Sequence, residues 1–215
     1  NLLGIIEIQI RNNPEEALEK FNQAMLNYEK SNLLEKIVGV KINIGNIHHI
    51  KSDKKNAVKF WDDSIELNRK IGKLEQEGHI FLNYGLFYLD DNNFEKSLLH
   101  SLHAQKIFGT LGILNEAGLA TENIGEMYFK TCDYQNAFDN LTKAAELFSQ
   151  MKNGDEQLNT LFVLGRFWFI IGEFEELENI INQFEYLLMT DETKTGQSDF
   201  YLRYLKFLLK LNDDN

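Results

Sequence analysis

Through most of the chain, large apolar and aromatic side chains return at steps of three and four residues, with polar residues between them. The run Phe81-Leu82-Asn83-Tyr84-Gly85-Leu86-Phe87-Tyr88 is one instance. That spacing gathers apolar groups on one side of a helix, so it predicts amphipathic α-helices rather than strands. Short polar turns separate the helical stretches. Proline occurs once, at Pro14, so long helices are permitted almost everywhere. The pattern predicts an all-α chain.

The pattern also recurs at a fixed distance. Asn13, Asp53, Asn93, Asp133, Glu173 and Asp213 stand forty residues apart, and Gly45, Gly85, Gly125 and Gly165 keep the same step. A period held without insertion means tandem copies of one small unit. Aligned on the glycines, each copy has a large residue just before the glycine and a ring three after it, as in Tyr84 and Tyr88 or Leu164 and Trp168. A glycine inside a helix costs roughly 1 kcal/mol against alanine, which is tolerable where a neighbouring helix comes close. The Asn/Asp column suits helix N-caps, whose side-chain oxygen accepts from the first free amides. Pro14 fits the first helical position after Asn13, and Glu173 is a poorer cap.

The second helix of each copy carries small residues where it crosses the first: Ala17, Ala57, Ser97 and Ala137, then Ala24, Ser64, Ala104 and Ala144. Bulky residues such as Phe21, Trp61 and Leu141 lie between these columns. In the fifth copy the small columns become Leu177 and Phe184, so that hairpin must pack more loosely or end the regular stack. The first copy is irregular at its start, where Gly4 stands one place off the glycine column. A polar loop from Thr190 to Ser198 leads into a last helix. The expected organisation is one array with copies at 1–37, 38–77, 78–117, 118–157 and 158–197 and a final helix at 198–211.

Large residue, glycine, ring three later, small residue twelve after the glycine and another seven beyond resembles the tetratricopeptide repeat. The usual unit of that family is about 34 residues; the forty-residue step looks like its longer subtype. The resemblance covers essentially the whole chain and rests on structural residues. It implies a right-handed α–α superhelix of five helix-turn-helix repeats plus a final helix. First helices would line the concave face, and a protein or peptide would be the partner.

If the glycine and its aromatic companion face the partner helix, the opposite face holds the positions six and two before the glycine and one and five after it. These lie within about 60° of one another. Two before the glycine stand Asn43, Asn83 and Asn123. A carboxamide has donors and an acceptor and can pair with both backbone groups of an extended peptide. Such a ladder is similar to one that some long-repeat relatives use to grip peptides; the alternative is that these asparagines solvate the groove or tie adjacent helices. The ladder stops at Val163 and Arg203. Just after the glycine stand Asn46, Leu86, Glu126, Arg166 and Lys206. Leu86 and Phe162 would offer apolar contact, and Arg166, Arg203 and Lys206 would favour acidic groups at the C-terminal end. The competing reading pairs Glu126 with Arg166 between layers, worth about 0–1 kcal/mol on a surface, and leaves the last helix as a cap.

Composition narrows the classes. The net charge of −11 argues against general attraction to nucleic acid or to an anionic membrane. The single cysteine, Cys132, excludes an internal disulfide and suits a reducing, cytoplasmic compartment. No apolar run is long enough to span a bilayer. His100 and His103 share a helix face at a spacing that could hold a metal, but no third ligand keeps them company. No phosphate loop or nucleophile motif appears. No cofactor, metal or catalytic residue is expected. The leading expectation is a non-enzymatic peptide-binding module of a larger regulatory or scaffold protein. Two alternatives stand beside it. One is a spacer or homodimerisation module acting through the C-terminal repeat, favoured by the apolar run from Phe162 to Ile171. The other is a sensor arm of a multidomain signalling enzyme or transcription regulator. The chain reads as a piece of a longer protein, since it begins at Asn1-Leu2-Leu3 without a methionine and ends where another helix is due.

Overall fold

A computed structural model describes residues 13–190 and 196–213. They form ten α-helices: α1 (Pro14–Lys30), α2 (Leu34–Ile50), α3 (Lys54–Arg69), α4 (Leu74–Asp90), α5 (Phe94–Leu111), α6 (Leu114–Lys130), α7 (Tyr134–Gln150), α8 (Gly154–Ile171), α9 (Phe174–Thr190) and α10 (Gly196–Asp213). The pairs α2/α3, α4/α5, α6/α7 and α8/α9 are successive helix-turn-helix units. Their first helices begin at residues 34, 74, 114 and 154, so each turn between units falls just ahead of residues 38, 78, 118 and 158. The expected irregularity at Gly4 lies outside the described residues. Gly196, Gln197 and Ser198, read above as loop, belong to α10, and Asp213 is the last residue of that helix.

The turns explain the forty-residue columns. Asp53 shows how one residue serves two helices. Its backbone N–H donates to His48 O at 2.8 Å and closes α2, while the N–H of Ser52 reaches His49 O at 2.8 Å. The same residue then caps α3, its side chain accepting from Asn56 N at 3.2 Å. Asn93 and Asp133 repeat the arrangement. This closure requires a left-handed residue just before the cap. Among the described residues every positive φ falls in one of two columns: Asn32, Gly72, Gly112 and Lys152 between units, and Ser52, Asn92, Cys132 and Gly172 within them.

Packing follows the small columns. Ala17, Ala57, Ser97 and Ala137 are fully buried, and so are the bulky residues Phe21, Trp61 and Leu141. A Cβ placed on Gly45 would lie 2.6 Å from Trp61 Cδ1, and one on Gly125 would lie 2.8 Å from Leu141 Cγ. The glycine is therefore the space into which the second helix sets its large residue. Gly85 receives Ser101 instead, and Ser97 Oγ donates to the Gly85 carbonyl at 2.9 Å. Successive first helices pack on one another, whereas the backbones of successive second helices stay farther apart among the described residues. The first helices therefore form the inner side of the curve.

The fifth unit departs from this rule. Leu177 and Phe184 are buried where earlier units carry alanine or serine. A Cβ placed on Gly165 would lie 2.6 Å from Leu205 of α10 and 3.4 Å from Ile180 of α9. Behind the seam a cleft of about 620 Å³ opens between α7, α8 and α9, beside Phe138, Trp168 and Ile180.

Two substitutions test this account. Gly45→Ala should destabilise the fold by about 1–3 kcal/mol, because the buried Trp61 cannot retreat, even though alanine favours helix by about 1 kcal/mol. Lys152→Gly should stabilise it by about 0.5–1 kcal/mol by relieving a left-handed side-chain residue. Urea unfolding followed by circular dichroism measures both.

Candidate functional site

One recess on the inner side lies between α2 and α4. It encloses about 320 Å³ and is lined by Asn43, Asn46, Asn83, Gln76 and His79, together with Glu35 and Lys73, which pair at 3.4 Å. Helical spacing places Asn43 and Asn83 there, on the side of their helices opposite the glycine column. Asn43 and Asn83 are half-buried. Asn46 is partly committed to the fold, since its Oδ1 accepts from Trp61 Nε1 at 3.0 Å. Gln76 Nε2 donates to the Glu35 carbonyl at 2.8 Å and bridges the units, while its Oε1 is buried with no hydrogen-bond partner. Sequence reasoning missed Gln76 because it stands outside the four inner columns; it precedes the glycine by nine residues, at the N-terminal end of α4.

The structure spreads the remaining candidates along the array. Leu86 is exposed and Asn123 half-buried, one and two units' distance from the α2 asparagines. Glu126 is half-buried on α6. Burial raises its carboxyl above the usual range, Lys130 and Arg166 oppose that, and Asp90 adds to it. Arg166 is exposed, with its guanidinium 5.8 Å from the centre of the Phe162 ring. Phe162 is half-buried: Tyr201 of α10 stacks on it at 3.9 Å and 6°, and Tyr204 meets its edge. Lys206 is engaged by Glu185 of α9, so it is tied to a second helix rather than offered alone, while Arg203 is exposed.

The histidines have structural neighbours. His48 stacks on Phe60, and its Nδ1 lies 3.0 Å from the capping carboxylate of Asp53. His49 Nε2 lies 3.1 Å from Asp90. His100 and His103 both pack against Phe81. Burial lowers the pKa of His100, with His103 and Lys96 acting in the same direction.

One acidic residue stands apart. Glu122, on the face of α6 that meets α8, is buried, and Thr160 Oγ1 lies 2.7 Å from its Oε1 and 3.0 Å from the Glu156 carbonyl. Burial pushes its pKa up to about 8; the Thr160 contact opposes the rise, while Glu126 and Glu156 add to it. The single hydroxyl proton of Thr160 is shared between two acceptors, Glu122 Oε1 and the Glu156 carbonyl. The sequence marks Glu122 only as one more acid in a helix; its burial depends on the small Thr160 opposite.

No family model matches this chain, and no curated protein matches it. Solved structures do. BtubC (BKLC) from P. vanneervenii superposes with a TM-score of 0.72 at 11% identity, over 91% of this chain and 84% of that one. A signal transduction ATPase with numerous domains and a tetratricopeptide repeat sensor, from Pyrococcus horikoshii, gives 0.71 at 20% identity. That match covers 96% of this chain but 32% of the ATPase. A putative kinesin light chain with TPR-like repeats from Podosopora anserina gives 0.61 at 12% identity, over 89% and 94% of the two chains. The class is thus defined: the fold is an all-α superhelix of tetratricopeptide type. Among the described residues no helix is long and apolar enough to cross a membrane.

Glu122 supplies a pH test. Its folded-state pKa lies above that of an ordinary carboxyl, so its contribution is full below the usual carboxylate range and is lost as pH rises through about 8. Glu122→Gln stays neutral throughout. Thermal melts should show the two proteins close at acidic pH and the variant increasingly more stable toward pH 8; parallel curves would refute the buried neutral acid.

Proposed function

We propose that this chain is a non-enzymatic protein-binding module that holds an extended peptide along its first helices. The observation that carries this reading is the recess between α2 and α4, where Asn43, Asn83 and Gln76 gather amide donors and acceptors. An extended backbone offers alternating N–H and C=O groups, and carboxamides match both whatever the peptide's side chains. Asn46 contributes its remaining amide hydrogens. Asn123, Leu86, Glu126, Arg166 and Arg203 continue the line toward the C-terminal end. There acid gives way to base, which would set the peptide's direction. Lys206 would join them on release from Glu185.

The net charge of −11 supports a protein partner over nucleic acid or an anionic membrane. The lone exposed thiol of Cys132 supports the cytoplasm. The repeat portion of the Pyrococcus horikoshii protein is named a sensor. That supports placing the present chain as the recognition arm of a larger regulatory or scaffold protein.

The test uses a peptide selected on the 215-residue chain from a random display library. Fluorescence anisotropy should show the pair Asn43→Ala and Asn83→Ala weakening that peptide by about tenfold or more, equivalent to about 1.4 kcal/mol, with the helical signal unchanged. A selected peptide that binds the double variant as tightly as the wild type would rule the ladder out.

A further inference from the structure

The cleft between α7, α8 and α9 is larger than the repeat requires. Its walls are the second helices α7 and α9 and its floor is α8, so it opens on the side of the array away from the asparagine recess. No residue of α10 lines it. In earlier units the same seam is bridged. Between α3, α4 and α5 the Tyr84 hydroxyl donates to Asp62 at 2.6 Å, and the His100 ring stacks on Tyr84 and Tyr88 at 5.1 and 5.4 Å. Between α5, α6 and α7, Gln105 Nε2 donates to Thr121 Oγ1 at 2.8 Å, and about 420 Å³ remains. At the last seam these bridging groups are lost. Leu164, Thr142 and Ile180 stand at the places of Tyr84, Asp62 and His100, and Ala145 and Leu161 at those of Gln105 and Thr121. About 620 Å³ is left open over a floor of Leu161, Leu164 and Trp168.

Charge changes along with size. In the seam one unit earlier, Lys106 and Lys143 line the space. Their counterparts here are Glu146 and Gln183, and Glu176 adds a second carboxylate from the facing wall. Among the described residues, no lysine, arginine or histidine lines this cleft. Both glutamates are exposed, and neither forms an ion pair among the described residues. The seam turns from basic to acidic at the unit where it widens, a local reversal beyond the general acidity of the chain. Phe138 and Trp168 meet at 5.2 Å and make an aromatic corner, with Trp168 half-buried. An apolar floor, an indole and two carboxylates at the rim suit a positive charge carried on an apolar body. We propose that this cleft binds a small amphiphilic organic ammonium compound, its apolar part on Leu161, Leu164 and Trp168 and its cation between Glu146 and Glu176. The volume falls within the roughly 300–1,000 Å³ of small-molecule sites. This site is separate from the recess between α2 and α4, and either can fail without the other.

The chain has two tryptophans, and their indole N–H signals in a proton–nitrogen correlation spectrum supply the test. Trp168 lines the cleft, whereas Trp61 is fully buried and bonded to Asn46. Three probes that differ only in the end group of one four-carbon chain are titrated into the 215-residue protein: phenylbutylammonium, phenylbutanol and phenylbutyrate. The ammonium should shift the Trp168 signal saturably, leave that of Trp61 in place, and dissociate at about 0.1–10 mM, as expected for so small a ligand. It should bind about threefold or more tighter than the alcohol and about tenfold or more tighter than the carboxylate. Glu146→Gln combined with Glu176→Gln should remove that preference with circular dichroism unchanged, since both residues are exposed. Thr142→Phe, at a half-buried place on the wall, fills the space and should weaken ammonium and alcohol alike by about tenfold or more. Absence of a saturable Trp168 shift with every probe overturns the site, as does undiminished binding to the Thr142→Phe chain. An ammonium that binds no tighter than the alcohol, or a preference that survives the double glutamine variant, overturns the assignment of a cation to the two carboxylates.

Discussion

Everything in this molecule depends on how closely a first helix lets its second helix approach. At Gly45 the missing side chain is replaced by the indole of Trp61, at Gly125 by Leu141, and at Gly85 by Ser101. The alanine and serine columns on the second helices provide the matching clearance. Fully burying a large apolar side chain contributes about 1.5–3 kcal/mol, more than the roughly 1 kcal/mol a helical glycine costs, so the exchange favours the fold where Trp61 and Leu141 enter. Once hairpins close to the same depth, they stack at the same step, and the inner positions of successive units line up.

The fifth unit lacks that clearance. Leu177 and Phe184 fill the crossing themselves, and Gly165 meets Leu205 of α10 more closely than Ile180 of its own partner helix. Two features of the C-terminal end accompany this: Tyr201 of α10 stacks on Phe162, and a cleft opens behind the seam.

The fold was legible because its determinants are local and periodic. Turn caps such as Asp53 and Asp133 and small residues such as Ala57 and Ala137 act within one hairpin, so each leaves its own mark in the chain. The inner site was legible only in part. Asn43 and Asn83 could be placed by helical angle alone. The use of Asn46 by Trp61, of Lys206 by Glu185 and of Phe162 by Tyr201 could not, because each depends on a neighbour brought in by packing. Glu122 was hidden for the same reason: a carboxyl becomes neutral through what surrounds it.

The contact pattern of the units has a mechanical meaning. First helices bear on one another while second helices stay apart among the described residues. The outer edge of the ribbon therefore resists little when the curvature changes, and the inner edge acts as the fulcrum. Such a body is a soft spring: a load on its ends tightens or relaxes the arc through small rotations shared among all units before any single hairpin has to come apart.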